Sequence, residues 1–237
     1  MMNFMETPEF PMRINRYLAH QKHTTRRGAD ALIEKKLVII NGRIAVLGDK
    51  VNKGDVVEVS GKTSKKYSYY AYHKPKGVVT HSAGEGEEDI GMAIPLPGVF
   101  PIGRLDKESH GLIILTDDGR ITDPLLNPEF EHEKEYHVRT VQKLRPSFSE
   151  YMEKGVDIGG YITKPCKVEV TGVAEFSITI SEGKRHQIRR MCAALHVDIR
   201  DLERVRIMNI KLGTLPEGNY RKIEGKELTT FMKKLGF

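Results

Sequence analysis

The chain has no tryptophan and two cysteines, Cys166 and Cys192, in 237 residues. Two cysteines support neither a disulfide framework nor a four-cysteine zinc site, which points to a reducing compartment. Both thiols read as small buried apolar residues. No apolar run approaches the roughly 18 residues that span a bilayer. The first residues, Met1–Pro11, carry two glutamates and lack the basic start and apolar stretch of a secretion signal. A cytoplasmic protein without a membrane partner is therefore expected. Metal-ligand spacing is missing as well: His132 and His137 stand isolated, so no metal is expected. The stretch Ser82–Glu88 is glycine-rich but acidic and has no Gly-Lys-Ser/Thr ending, which argues against a phosphate-cradling P-loop.

What is present suffices for a core. The chain is 39% hydrophobic and 30% charged, with a formal net charge of +6. Disorder needs lower hydrophobicity or a greater charge imbalance. The positive surplus is focused: between Met12 and Val59, ten Lys or Arg stand against five Asp or Glu. Such a focus attracts polyanions and raises their encounter rate, favouring nucleic acid or an anionic membrane surface. A solvated face without a partner is the plain alternative.

Within that segment, Ile14, Tyr17 and Leu18 form an i, i+3, i+4 stripe, predicting a short helix over Arg13–Gln21. Thr25 is the expected N-cap of a second helix through Lys36, with Ala29, Leu32 and Ile33 facing inward. Arg13, Arg16, Arg26 and Arg27 then decorate the outer faces. Asn41-Gly42 between two β-branched runs predicts a tight hairpin, and Val56–Val59 a further strand. Two basic helices and a small sheet over 12–59 make a compact module, and 60–66 has linker composition. Residues 67–237 have the length of one ordinary domain. Strands are expected at Tyr67–Tyr72, Gly111–Thr116, Lys134–Val141, Cys166–Val173, Glu175–Ser181 and Arg204–Leu212. Helices are expected at Ser147–Lys154, stopped by Gly155, at His186–Leu195 and near Leu228–Leu235. The fold class is α+β.

One stretch carries chemistry: Gly103-Arg104-Leu105-Asp106-Lys107-Glu108-Ser109-His110-Gly111, a glycine-bounded loop holding an acid and a guanidinium before an apolar strand. Reactive groups commonly sit on loops held by rigid strands. A surface turn with an Arg104–Asp106 pair is the structural alternative. Followed by Ser109, Gly111, Leu112 and Thr116, this stretch resembles the catalytic motif of pseudouridine synthases of the small-subunit ribosomal RNA type. His73-Lys74-Pro75-Lys76-Gly77 resembles that family's first motif, and Glu135-Tyr136-His137-Val138 its tyrosine-bearing strand. The run Glu182–Met191 resembles its last large motif, and Met12–Val59 resembles the RNA-binding domain of ribosomal protein S-four.

The resemblance implies a small basic RNA-binding domain followed by a catalytic domain built on a mixed, mainly antiparallel sheet. It implies isomerisation of uridine within RNA, without cofactor or metal. The N1–C1′ bond breaks, the base turns, and C5 bonds to C1′. Asp106 would be the catalytic carboxylate, as nucleophile or as base at the sugar. Tyr136 would stack on the extruded uracil. A cation should keep Asp106 ionised, and helical spacing from His186 places Arg189 at the edge of the core stripe, where it can reach inward. Arg104, Leu105, Lys107, Lys184, Arg185, His186, Gln187 and Arg190 are the expected RNA contacts in this domain. Arg104 would hold the vacated base position or a flanking phosphate.

Runs such as His132–Tyr136, Lys164–Val168 and Leu202–Asn209 most resemble the branch called pseudouridine synthase F. Its members modify large-subunit (23S) ribosomal RNA, and some modify a tyrosine transfer RNA. A monomer acting on 23S ribosomal RNA, with a tRNA as further substrate, is expected; small-subunit ribosomal RNA is the runner-up. Two rivals come from other classes, a non-catalytic RNA-binding assembly factor and a sugar-bond hydrolase with a second carboxylate.

Overall fold

The computed structural model describes residues 9–60 and 66–237. Residues 61–65 of the expected linker lie outside the described residues. The chain divides into two compact units. One is Met1–Lys66 with Asp118–Arg120; the other is Tyr67–Asp117 with Ile121–Phe237.

The first unit runs β1 (Met12–Arg13), α1 (Ile14–His20), α2 (Arg26–Glu34), β2 (Val38–Ile40), β3 (Arg43–Ile44), β4 (Lys50–Val51) and β5 (Val57–Val59). Thr25 caps α2, its side chain accepting from the Gly28 amide at 2.9 Å. Ile14 and Leu18 pack with Ala29, Ile33, Val38 and Ile40 into one small core. Asn41 and Gly42 both take positive φ (48° and 80°), as the tight turn between β2 and β3 requires. The β1–β4 pair lies outside the sequence expectations, because two-residue strands are too short to show a period. Arg13, Arg16, Arg26 and Arg27 are all exposed.

The second unit begins with β6 (Tyr69–Lys74), α3 (Ile90–Ala93), β7 (Phe100–Ile102), β8 (His110–Thr116), α4 (Thr122–Leu126) and β9 (Lys134–Thr140). It continues through α5 (Phe148–Glu153), β10 (Lys167–Gly172), β11 (Glu175–Ile180), α6 (Gln187–Ala194) and β12 (Ile199–Ile207). It ends with β13 (Ile210–Lys211), β14 (Tyr220–Lys222) and α7 (Gly225–Lys234). Nine strands form one sheet, ordered β10-β11-β9-β12-β8-β6-β14, with β13 on β12 and β7 on β8. Every pairing is antiparallel except β12–β8. The architecture is the expected mixed, mainly antiparallel α+β fold.

The middle of the sheet is covered on both faces. All seven residues of β8 are buried, so it reads as a continuous apolar run. Leu112 and Ile114 pack with Phe231 of α7, whereas Ile113 and Leu115 pack with Ile90 of α3. Ile188, Met191 and Cys192 of α6 join Phe148, Phe176 and Val138 in a third cluster. The expected strand Arg204–Leu212 is two strands. Met208 takes φ 52° and turns the chain between β12 and β13, a break that hydrophobic patterning does not show.

Candidate active site

The loop Gly103–Ser109 joins β7 to β8 at one wall of a cleft of about 560 Å³. Two clamps hold it. The Thr80 hydroxyl donates to the Leu105 carbonyl (2.8 Å) and accepts from the Leu105 amide (3.0 Å). The Gly77 amide donates to the Lys107 carbonyl at 2.9 Å. The turn supplying those clamps is itself organised from within, because Lys74 is fully buried and donates to the Pro75 and Val78 carbonyls (2.8 and 2.7 Å). Burial pulls the Lys74 ammonium down to about 8, against the opposing attraction of Asp106.

Gly111 explains how β8 comes so close to β12. It has φ +105°, and a Cβ there would lie 2.4 Å from the Arg204 carbonyl oxygen and 2.6 Å from its nitrogen. No other side chain fits this approach. The opposite wall of the cleft is the segment leading into α6. Its buried Glu182 accepts from Tyr161 Oη (2.6 Å), the Lys164 amide (2.9 Å) and Gln187 Nε2 (2.7 Å).

Asp106, Tyr136 and Arg189 line the same cleft. Tyr136 stands on β9, 8% exposed, and Asp106 is half-exposed. The expected direct hold of Arg189 on Asp106 is corrected in one respect. Arg189 Nη2 donates to the Glu108 carbonyl (3.1 Å) and Ser109 Oγ (3.2 Å), bridging α6 to the loop, while His186 Nε2 lies 3.3 Å from Asp106 Oδ1. His186 sits at the start of α6 with φ 52°, a turn closer to the carboxylate than Arg189.

The expected RNA contacts divide. Arg104, Lys107, Lys184 and Arg185 are exposed; Lys107 pairs with Glu87 (2.8 Å), and Lys184 lies 4.3 Å from the Tyr161 ring centre. Leu105 lines the cleft but is buried. Gln187 lines the cleft but is buried, with its amide spent on Glu182 and on the Lys184 backbone. Arg190 is exposed, and its guanidinium donates to the Ile158 carbonyl.

Two cleft cations escaped sequence reasoning. Arg204 is 3% exposed, its Nε donating to the Leu112 carbonyl (2.6 Å), and its Nη2 has no partner among the described residues. Lys134, two residues before Tyr136, is pulled down to about 8 by burial and then by Arg204. A charged residue on a strand reads as solvent-facing, and its burial becomes visible when β9 and β12 pair. Cys166 and Cys192 take no part: burial pushes their thiols up to about 11 and about 12.

A family model described as RNA pseudouridylate synthase matches residues 68–194. The chain is 39% identical over 232 residues to the dual-specificity RNA pseudouridine synthase RluF of Escherichia coli O6:H1, covering 95% of this chain and 80% of that protein. It is 31% identical over 231 residues to ribosomal small subunit pseudouridine synthase A of Vibrio cholerae, covering 94% and 100%. A crystal structure of a pseudouridylate synthase superposes with a TM-score of 0.69 at 28% identity, over 94% of this chain and 99% of the other. A cleft that gathers an acid, a buried tyrosine and four or more cations, on a chain of this likeness, settles the classification: this protein is an enzyme of the RNA pseudouridylate synthase family, similar to RluF.

Proposed function

We propose that the protein flips a specific uridine of 23S ribosomal RNA into the cleft and isomerises it, with Asp106 acting at the sugar. Cleavage of N1–C1′ and formation of C5–C1′ transfers the base; the C5 proton leaves and N1 gains one. The observation that carries this reading is Asp106 standing in one cleft with Tyr136 and a ring of cations. Extruding a nucleotide costs a few kcal/mol, and stacking on an aromatic side chain returns about 1–3 kcal/mol. Tyr136 supplies that face. His186 Nε2 stands 3.3 Å from the carboxylate, and Arg189 fixes the loop through Glu108 and Ser109. Arg104, Lys184, Arg185 and Arg190 meet the flanking phosphates, and Arg204 Nη2 offers its unmet proton to an acceptor on the nucleotide.

The basic unit at the amino end binds the same RNA through Arg13, Arg16, Arg26 and Arg27, in the manner of a ribosomal-protein-S-four-like domain. The protein acts as a cytoplasmic monomer, and a tRNA is its second substrate; RluF, to which the chain is similar, is itself a dual-specificity RNA pseudouridine synthase. Among the described residues no helix is long and apolar enough to cross a membrane. Mapping pseudouridines in ribosomal and transfer RNA, with and without the gene, tests the proposal. One 23S position should lose its modification on deletion and regain it on complementation; an unchanged map would refute the assignment.

A further inference from the structure

Behind the catalytic loop, on the residues just before Lys74 and just after Ser109, two imidazoles meet. His73 and His110 stack with ring centres 5.8 Å apart and planes 12° from parallel. Their side chains are nine-tenths or more buried. His73 Nδ1 lies 2.7 Å from the Leu215 carbonyl, which can only accept, so the ring proton is on Nδ1 and Nε2 carries a lone pair. His110 Nε2 lies 3.2 Å from both oxygens of Asp201, which is also paired with Lys76. That carboxylate fixes the His110 proton on Nε2 and leaves Nδ1 with a lone pair. The two free nitrogens face each other at 3.5 Å, with no hydrogen to share between neutral rings.

Two carboxylates face the same point. Glu203 Oε1 is 3.8 Å from His73 Nε2; Glu217 Oε1 is 3.3 Å from His110 Nδ1 and 4.0 Å from His73 Nε2. His73, His110 and Glu203 offer ligand atoms all within 4.8 Å of one another. Neither glutamate has a lysine or arginine at ion-pair distance among the described residues. His73 Nε2, His110 Nδ1 and Glu203 thus converge on one point, and Glu217 Oε1 stands beside it.

We propose that this cluster is a structural site for a borderline divalent transition-metal ion, zinc foremost, held by His73 Nε2, His110 Nδ1, Glu203 and Glu217. Metal-bound nitrogen and oxygen lie about 2.0–2.2 Å from zinc, so the edges of a tetrahedral site are about 3.4 Å. The 3.3–4.0 Å separations about the two histidine nitrogens are near that edge length, and the half-exposed Glu217 swings in to complete the set. The outer partners also fit, since metal-bound histidines characteristically give their second ring proton to a carbonyl or a carboxylate. Here Leu215 and Asp201 fill those two roles. The ligands come from β6, β8, β12 and the loop before β14. The ion pins the strands that carry Lys74 and leave Ser109, bracing the catalytic loop from behind without entering the reaction. Sequence spacing hides the set, because no two ligands are closer than 14 residues.

The test uses the untagged full-length protein, stripped with a chelator and titrated with zinc against a chromophoric competitor. One equivalent should bind per chain, and cobalt(II) should give the intense ligand-field band of a four-coordinate site. Zinc should also raise the melting temperature, independently of any activity. Glu217 is half-exposed, so Glu217→Gln should keep the fold by circular dichroism yet weaken zinc by at least about tenfold. His110→Gln should abolish stoichiometric binding. No stoichiometric zinc in the wild type would overturn the proposal, leaving the pair to be neutralised by a proton. Equal zinc affinity in wild type and Glu217→Gln, or binding retained by His110→Gln, would overturn it too by placing the ion elsewhere.

Discussion

Tyr136 and Lys134 share one face of β9, and they make different demands on the cleft. Tyr136 offers a flat face, so Tyr136→Phe should retain substrate binding within a few-fold, whereas Tyr136→Leu should lose turnover. Single-turnover release of tritium from 5-tritiated uridine in RNA reads this directly; equal rates for both variants and wild type would contradict stacking. Lys134 makes an electrostatic demand. Its folded value of about 8 lies below the ordinary 10.5, so between those limits the unfolded chain binds the proton and the folded chain does not. Stability should therefore rise with pH across that window. Denaturant unfolding at pH 7.5 and 9.5 should show a smaller rise in Lys134→Met than in wild type. The local motifs around Asp106 and Tyr136 single out in the sequence two residues that line the cleft. The His186–Asp106 pair, the reach of Arg189 to Ser109 and the burial of Arg204 were not legible there, because each joins segments about 80 or more residues apart in chain.

At the scale of elements, β8 is where fold and site meet. Its burial on both faces makes it rigid, and Gly111 lets β12 come in alongside it. Gly111→Ala would force an alanine into positive φ and drive its Cβ into the Arg204 backbone. A loss of about 2 kcal/mol or more is expected, read as a lower denaturant midpoint. A variant as stable as wild type would show that the parallel pairing tolerates a wider gap. Periodic segments such as α2, α6 and β9 follow from the sequence nearly to the residue. Capping at Thr25 and the turn at Asn41-Gly42 do so as well, since local hydrogen bonding and positive φ decide them. The short strands β1, β4, β7 and β14 depend on partners supplied by the fold, and no local pattern marks them.

Across the whole molecule, the focus of charge before Val59 is the feature that composition alone reveals. If Arg26 and Arg27 bind phosphate, Arg26→Ala with Arg27→Ala should weaken RNA binding for all sequences. It should also lower the log–log salt slope by about 1 per arginine. Filter binding across a salt series measures both; an unchanged slope would assign these arginines to solvent. Catalysis, by contrast, is assigned to one carboxylate in the larger unit. The most direct measurement of that assignment is pseudouridine formed on a 23S transcript by purified Asp106→Asn protein, with binding followed in parallel. The substitution keeps the shape and removes the charge, so binding should persist while no pseudouridine forms. Product formation at the wild-type rate would contradict the account.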